Sequence, residues 1–152
     1  MQSLQDTYGP NSVCFGCGPK NSDGLRIKSR PEGAEVVCDW TPRPDHHAFE
    51  GFVSGGIIST LLDCHGNWTA IHTLIEQRHL QTPPSTVTAE LSIRFLRPTP
   101  MGPLKIRARP VNVQGERVSV SGEVYSEDKP TASMSGVYVV VKEGHPAFHR
   151  WE

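Results

Sequence analysis

The chain has 152 residues, with 15 lysines and arginines against 16 aspartates and glutamates, and a formal net charge of −1 at neutral pH. This balance gives no general electrostatic reason to expect a nucleic acid or a membrane surface as partner. The sequence has neither a basic leader before an apolar stretch nor an apolar run of about 18 residues, so we expect a cytoplasmic protein without a membrane span. The length predicts one domain over residues 1–152.

Residues 1–24 are rich in glycine, proline, asparagine and serine and show no hydrophobic periodicity, which predicts a loop. The loop contains Cys14-Phe-Gly-Cys17-Gly18, and this spacing is typical of a zinc knuckle. A structural zinc ion needs two more ligands, and five residues elsewhere are candidates: Cys38, Cys64, His46, His47 and His65. The alternative is a packed loop whose cysteines are reduced thiols, and from the sequence we expect this arrangement, with no metal and no cofactor.

Two half-buried strands follow the loop. Residues 25–28 alternate between apolar and polar side chains, and after a turn at 31–33 the alternation continues over residues 34–40. This pattern predicts a β-hairpin. Residues 41–53 are interpreted as a second loop, which contains two prolines and the pair His46-His47.

The stretch from Ser54 to Gln77 has the periodicity of one long helix. At about 100° per residue its apolar stripe comprises Ile57, Leu61, Cys64, Trp68, Ile71 and Ile75. The neighbouring flank is small or polar and comprises Gly56, Thr60, Asp63, Asn67 and Ala70. Such a flank lets a ligand or a second chain come close. Ser54 is the predicted N-cap, and Gly55 and Gly56 leave bare backbone N–H groups at the positive end of the helix.

After the helix the period changes from 3.6 to 2, which predicts four further strands. In the first of them one face is predicted to carry Val87, Ala89, Leu91, Ile93 and Phe95, and the opposite face Thr88, Glu90, Ser92 and Arg94. The other three alternate over residues 104–109, 118–124 and 132–141. Two strands, a long helix and four consecutive strands predict an α+β protein with an antiparallel sheet that curls around the helix.

Two segments resemble the hotdog-fold acyl-CoA thioesterases, in particular the PaaI-like branch. They are Phe-Val-Ser-Gly-Gly-Ile-Ile-Ser-Thr-Leu-Leu-Asp at 52–63 and Cys-Phe-Gly-Cys-Gly-Pro-Lys-Asn-Ser-Asp-Gly-Leu at 14–25. The resemblance extends over residues 14–141 and implies a hotdog fold, a curved antiparallel sheet of about six strands wrapped around one long central helix. It also implies hydrolysis of a small or medium acyl-CoA or aryl-CoA thioester.

The resemblance assigns three catalytic roles. Asp63 would be the general base or nucleophile, Gly55 would donate its N–H to the oxyanion, and Thr88 would steady the attacking water. Contacts to the acyl-CoA substrate are expected from five further residues, Ser54, Gly56, Asn67, His47 and Arg97. Burial is expected to raise the pKa of Asp63 and to improve it as a base.

One helix cannot complete this site. A helix rises about 1.5 Å per residue, so Gly55 and Asp63 of one chain are separated by about 12 Å along its axis. Two antiparallel copies of the helix would bring Gly55 of one chain beside Asp63 of the other. The motif therefore predicts a two-fold homodimer with two sites. A dimer of dimers is equally compatible with the sequence.

Two positions depart from the family pattern. Ser54 stands where the family has histidine, and Ala48 stands where it often has asparagine. These family residues polarise the carbonyl or place the water, and His46 or His47 would have to replace them from a shifted loop. A non-catalytic acyl-CoA-binding module therefore remains the alternative function, and a zinc-dependent structural module is a third.

Overall fold

The computed structural model describes residues 2–152. Its elements are α1 (Leu4–Tyr8), β1 (Ser29–Glu32), β2 (Glu35–Trp40), a 3₁₀ turn (Pro44–His46), β3 (His47–Phe49), β4 (Phe52–Val53), α2 (Gly55–Arg78), β5 (Thr86–Phe95), β6 (Leu104–Gln114), β7 (Arg117–Ser126) and β8 (Lys129–Val140). Six strands form one antiparallel sheet in the order β1-β2-β6-β7-β8-β5. Helix α2 contacts all six, so the sheet curls around it. The predicted α+β architecture is confirmed.

Helix α2 begins and ends where its capping residues dictate. The Ser54 hydroxyl accepts a hydrogen bond of 3.3 Å from the Gly56 N–H, which makes Ser54 the N-cap, as predicted. At the other end His79 adopts a left-handed conformation with φ 52°, and its N–H donates to the Ile75 carbonyl. This left-handed residue ends the helix before the prolines at 83 and 84.

The sheet lies unusually close to the middle of α2, at Gly66. A Cβ atom at this position would lie 2.3 Å from the Tyr138 hydroxyl and 2.6 Å from the Met134 methyl group. The Tyr138 hydroxyl in turn donates a hydrogen bond of 3.1 Å to the backbone carbonyl of Asp63. Glycine at 66 therefore lets β8 pack directly against the helix, and the tyrosine ties the two elements together one turn earlier.

The structure corrects three assignments before α2. The predicted N-terminal loop contains the short helix α1, capped by the Ser3 hydroxyl. Strand β1 begins at Ser29 rather than in the predicted segment 25–28, because the N–H groups of Leu25 and Ile27 bond to the loop carbonyls of Phe15 and Gly16 instead of to a strand. The predicted loop 41–53 contains the small antiparallel hairpin of β3 and β4.

Strand β5 differs from the predicted alternation. A β-bulge between Thr88 and Glu90 shifts its register against β8, so that Thr88 pairs with Tyr138 and Ile93 pairs with Met134. Directly opposite residues on neighbouring strands share a face. Thr88 therefore lies on the helix side together with Leu91, Ile93 and Phe95, although the plain period of two places it on the other face. The bulge absorbs the one-residue difference.

Strands β6 and β7 follow their predicted alternation, with Leu104, Ile106 and Ala108 of β6 buried against the helix. Beyond β8, residues 142–152 fold back onto the body. The ring of Trp151 packs against Trp68 of α2 at 4.7 Å, and its indole N–H donates to the Pro84 carbonyl at 3.0 Å. No helix within residues 2–152 is both long and apolar enough to cross a membrane.

Candidate active site

The structure brings together two of the predicted catalytic residues, Asp63 of α2 and Thr88 of β5. The Thr88 hydroxyl donates a hydrogen bond of 2.7 Å to Oδ1 of Asp63. Asp63 is half-buried, and its position follows from the helix, while that of Thr88 depends on the bulge that turns its side chain towards α2. The second carboxylate oxygen, Oδ2, accepts no hydrogen bond from the described residues.

Several groups act on the charge of Asp63. Burial raises the pKa of its carboxyl group, and the hydrogen bond from Thr88 opposes this shift. Negative charge on the Cys14 sulfur of the N-terminal loop also raises the pKa, whereas Tyr138 of β8 and the Arg150 guanidinium from the C-terminal segment lower it. The net result is a carboxyl group with a pKa above its ordinary value of 3.8. Such a carboxylate is a better proton acceptor than an exposed one.

The start of α2 presents an uncommitted donor. Within residues 2–152 the Gly55 N–H donates no hydrogen bond, whereas the Gly56 N–H is capped by Ser54. The ring of Phe95 at the end of β5 lies 3.5 Å from the point where a Cβ atom of residue 55 would be. An apolar ring beside a free N–H at a helix start strengthens the attraction of that N–H for a negative oxygen.

The four other predicted substrate contacts are dispersed. Asn67 is buried, and its amide oxygen accepts a hydrogen bond of 2.7 Å from the Thr86 hydroxyl, which holds β5 on the helix. His47 is the exposed first residue of β3, and Ser54 follows β4 as the N-cap of α2. Arg97 is exposed just beyond β5, and its backbone N–H donates to the Thr131 carbonyl.

His46 does not reach the helix start with its side chain. Its ring is buried and stacks on Trp40 with centroids 5.4 Å apart, while Nδ1 accepts the Arg43 N–H at 2.9 Å. Only its backbone carbonyl points towards the site, where it accepts the Ser54 N–H at 2.8 Å. The sequence hypothesis that His46 replaces the missing family histidine therefore has no support in this geometry.

Sequence reasoning missed Tyr138, Phe95 and Arg150 as neighbours of the site. Arg150 donates to the Thr86 carbonyl at 2.8 Å and lies 4.3 Å from the Trp151 ring centroid, which holds its charge on the side of Asp63. The C-terminal segment has no periodicity that would have predicted this position. Tyr138 and Phe95 were assigned to strands, but only the register of β5 and β8 places them beside α2.

The structure also shows which of the candidate metal ligands lies near Cys14 and Cys17. The sulfur atoms of Cys14, Cys17 and Cys64 lie within 4.8 Å of one another, because the loop packs on α2. Cys38 is buried in β2. His65 is fully buried, with Nε2 donating to the Val36 carbonyl and Nδ1 accepting from the Ser29 hydroxyl, each at 2.8 Å. Both nitrogens of His65 are thus satisfied inside the core.

A cavity of about 680 Å³ lies away from these residues, between α1, the end of α2 and the C-terminal segment. Tyr8, Leu80, Phe148 and Trp151 are among the side chains that line it. None of the predicted catalytic residues lines this cavity, so it is not the site described above.

Comparison with known proteins identifies the family and the fold of the chain. The family model of the thioesterase superfamily matches residues 50–133, more than half of the chain. A thioesterase superfamily protein from Shewanella loihica is 33% identical, with a TM-score of 0.68 over 91% of this chain and 100% of its own. A Bacillus halodurans protein solved with CoA is 28% identical, with a TM-score of 0.62 over 77% and 72% of the two chains.

The PaaI protein of Escherichia coli, from the phenylacetic acid degradation operon, shares the fold. Its TM-score is 0.65 at 17% identity, over 78% of this chain and 81% of its own. No protein of curated function matches the sequence at significant similarity. The chain therefore belongs to the thioesterase superfamily, and its fold is the hotdog fold that the sequence resemblance implied.

Proposed function

We propose that the protein is an acyl-CoA thioesterase that hydrolyses a small or medium acyl-CoA or aryl-CoA. The observation that carries the proposal is the half-buried Asp63 carboxylate, held by Thr88 at 2.7 Å on the same helix whose first N–H, that of Gly55, is free. Superfamily membership supports thioester chemistry. The CoA in the Bacillus halodurans structure and the acetyl-CoA in a Streptococcus mutans protein of the same fold support the thiol half of the substrate.

In the proposed reaction Asp63 acts as general base. The Thr88 hydroxyl occupies Oδ1, so Oδ2 is left to accept a proton from a water molecule. The water oxygen attacks the thioester carbon, and the carbonyl oxygen becomes an oxyanion stabilised by a Gly55 N–H and the positive end of α2. Collapse of this intermediate breaks the carbon–sulfur bond. The CoA thiolate leaves with the proton from Asp63, and the free acid is the second product.

The two catalytic elements are proposed to come from different chains. Gly55 and Asp63 lie on one continuous helix, which keeps them about 12 Å apart along its axis. Strand β5 is at the edge of the sheet, and three exposed apolar side chains lie on it or directly after it: Leu91, Phe95 and Leu96. A homodimer would cover this edge and join Gly55 of one protomer to Asp63 of its partner. Both a dimer and a dimer of dimers meet this requirement.

The remaining predicted residues are proposed to hold the substrate. Ser54 and Gly56 border the oxyanion position at the helix start, and Asn67 supports Asp63 from the next turn through its bond to Thr86. His47 and Arg97 are both exposed, and a donor or a cation of this kind suits the CoA phosphates.

A second candidate is a non-catalytic acyl-CoA-binding module. The observation that favours it is the absence of the family histidine before the glycines, since residue 54 is serine and the nearby His46 ring is stacked on Trp40. Such a module would keep the fold and bind acyl-CoA, but it would hydrolyse the thioester slowly or not at all.

The test is release of free CoA thiol from a panel of short, medium and aryl acyl-CoAs by the wild type and by Asp63→Asn. A loss of kcat of at least ~100-fold with an unchanged oligomeric state supports the hydrolase. The exposed Asp128→Asn is the matched control and should leave the rate unchanged. Binding of acyl-CoA by the wild type without turnover on any substrate would refute the hydrolase and favour the binding module.

A further inference from the structure

We propose that Cys14, Cys17 and Cys64 bind one thiophilic divalent metal ion, with Zn²⁺ the expected occupant. The proposed metal site does not depend on the proposed hydrolysis, and each proposal is tested by its own experiment. It contradicts our expectation from the sequence, in which the Cys-x-x-Cys pair was a metal-free packed loop.

The spacing of the sulfur atoms fits a metal ion. The three atoms lie within 4.8 Å of one another, and Sγ of Cys14 is 3.8 Å from Sγ of Cys64. Two thiolates on a tetrahedral zinc ion with Zn–S bonds of about 2.3 Å are separated by about 3.8 Å. A disulfide needs sulfur atoms only about 2 Å apart, so these two sulfur atoms are not bonded to each other and have the spacing that two ligands of one ion require.

Two glycines let the loop reach the helix. A Cβ atom on Gly16 would lie 2.3 Å from Sγ of Cys64, and one on Gly18 would lie 2.4 Å from the Cys14 nitrogen. The Gly18 N–H donates to the Cys14 carbonyl at 2.8 Å, which closes a tight turn around the pair.

An unpartnered buried donor supports the site independently. The indole nitrogen of Trp68 is fully buried and has no hydrogen-bond partner among the described residues, yet it lies beside the Cys17 sulfur. A neutral thiol is a weak acceptor, whereas a metal-bound thiolate carries negative charge and accepts well. A metal on Cys17 would therefore satisfy a polar group that otherwise costs free energy to bury.

The site has three protein ligands and one open position. The carboxylate of Asp63 is not among the grouped atoms, although Asp63 precedes Cys64 in the helix. We therefore assign water as the fourth ligand of the ion. The ion would hold the 14–18 loop against α2 at Cys64, the residue after the proposed general base Asp63.

The first experiment measures zinc by elemental mass spectrometry in full-length protein purified with a reductant and without a metal-affinity tag. We expect about one zinc ion per chain in the wild type, and a reduction of at least ~5-fold in Cys14→Ser and in Cys64→Ser. Cys38→Ser is the matched control, since Cys38 is a buried cysteine of β2 outside the cluster, and should retain the zinc. Circular dichroism of each variant verifies that the fold is retained.

The second experiment adds Co²⁺ to protein stripped by a chelator. Thiolate-to-cobalt charge transfer in the near ultraviolet should appear with the wild type and with Cys38→Ser, and should be lost in Cys14→Ser. Cys14 lies on a loop and is only partly buried, so its replacement leaves the core intact. A wild type with less than ~0.1 zinc ion per chain and no cobalt band would overturn the proposal. Equal zinc in the wild type and Cys64→Ser would overturn it as well.

Discussion

The Thr88 hydroxyl of β5 donates a 2.7 Å hydrogen bond to Oδ1 of Asp63, across the interface between the edge strand and the helix. This contact exists because a bulge beside Thr88 turns its side chain to the helix. It fixes one carboxylate oxygen and leaves the other for water. The orientation of the proposed base therefore depends on the register of β5 against β8.

Thr88→Val should separate the role of this hydrogen bond from that of packing, because valine has nearly the shape of threonine. We expect kcat to fall about 10-fold, since the base loses its orientation. Catalysis needs Asp63 deprotonated, so the rate rises with pH through the pKa of this group. The lost hydrogen bond had lowered that pKa, and the acidic limb of the profile should therefore move to higher pH.

The pH–rate profile of the variant, measured on a substrate that the wild type hydrolyses, is the decisive readout. Ser92→Ala, on the outward face of the same strand, is the control and should leave rate and profile unchanged. The other groups that face Asp63, namely Cys14, Tyr138 and Arg150, are retained in both variants. A profile that does not move would contradict an interaction of Thr88 with the base.

Phe95→Glu should disrupt the proposed dimer. The Phe95 side chain is 57% exposed in one chain and lies over the start of α2, where the partner is proposed to pack. A buried charge without a partner is costly, so we expect monomers and a loss of turnover. Light scattering after gel filtration measures the mass. Val111→Glu, on β6 and 67% exposed, should leave the assembly as it is. A Phe95→Glu dimer would argue against an interface at this position.

Gly66→Ala should destabilise the fold. The new methyl group would meet the Tyr138 hydroxyl at 2.3 Å and the Met134 methyl at 2.6 Å, so β8 has to move away from the helix. Overpacking of this kind costs about 1–3 kcal/mol, more than the gain of about 1 kcal/mol in helix propensity. In Gly56→Ala the methyl has open space, with its nearest neighbour at 3.7 Å, and stability should stay the same or rise. Urea denaturation compares the two, and equal losses would contradict this explanation.

Acid should weaken the fold through His65. Burial lowers its pKa to about 4, against 6.5 for an exposed histidine, because the ring is fully enclosed. The unfolded chain then binds the proton more readily, so the stabilising contribution is complete above pH 6.5 and is lost as the pH falls towards 4. Between pH 7 and pH 5 this linkage amounts to about 2 kcal/mol of unfolding free energy.

Urea denaturation at these two pH values checks the linkage. His65→Gln should lose less free energy of unfolding between them than the wild type, because glutamine does not titrate. His79→Gln, at the exposed end of α2, should behave as the wild type does. The same slope in His65→Gln and the wild type would place the acid sensitivity elsewhere.

Much of the fold follows from local patterns. The period of 3.6 over residues 54–77 and the serine before two glycines predicted α2 to within one residue, because helical spacing and capping depend on near neighbours. The strands after the helix followed from their period of two. The Asp63 and Gly-Gly motif pointed to the thioesterase superfamily for the same reason, since all of it lies within one helix.

The tertiary structure decided which distant residues meet. The bulge in β5 depends on how β5 pairs with β8, so the sequence alone placed Thr88 on the face away from the helix. The contact of Cys14 and Cys17 with Cys64 depends on a loop that follows no periodicity and on the absence of side chains at Gly16 and Gly18. The Arg150 guanidinium acts on the pKa of Asp63 from a C-terminal segment that is held on the helix by the packing of Trp151 on Trp68. Contacts between residues far apart in the chain are set by packing, which no local period encodes.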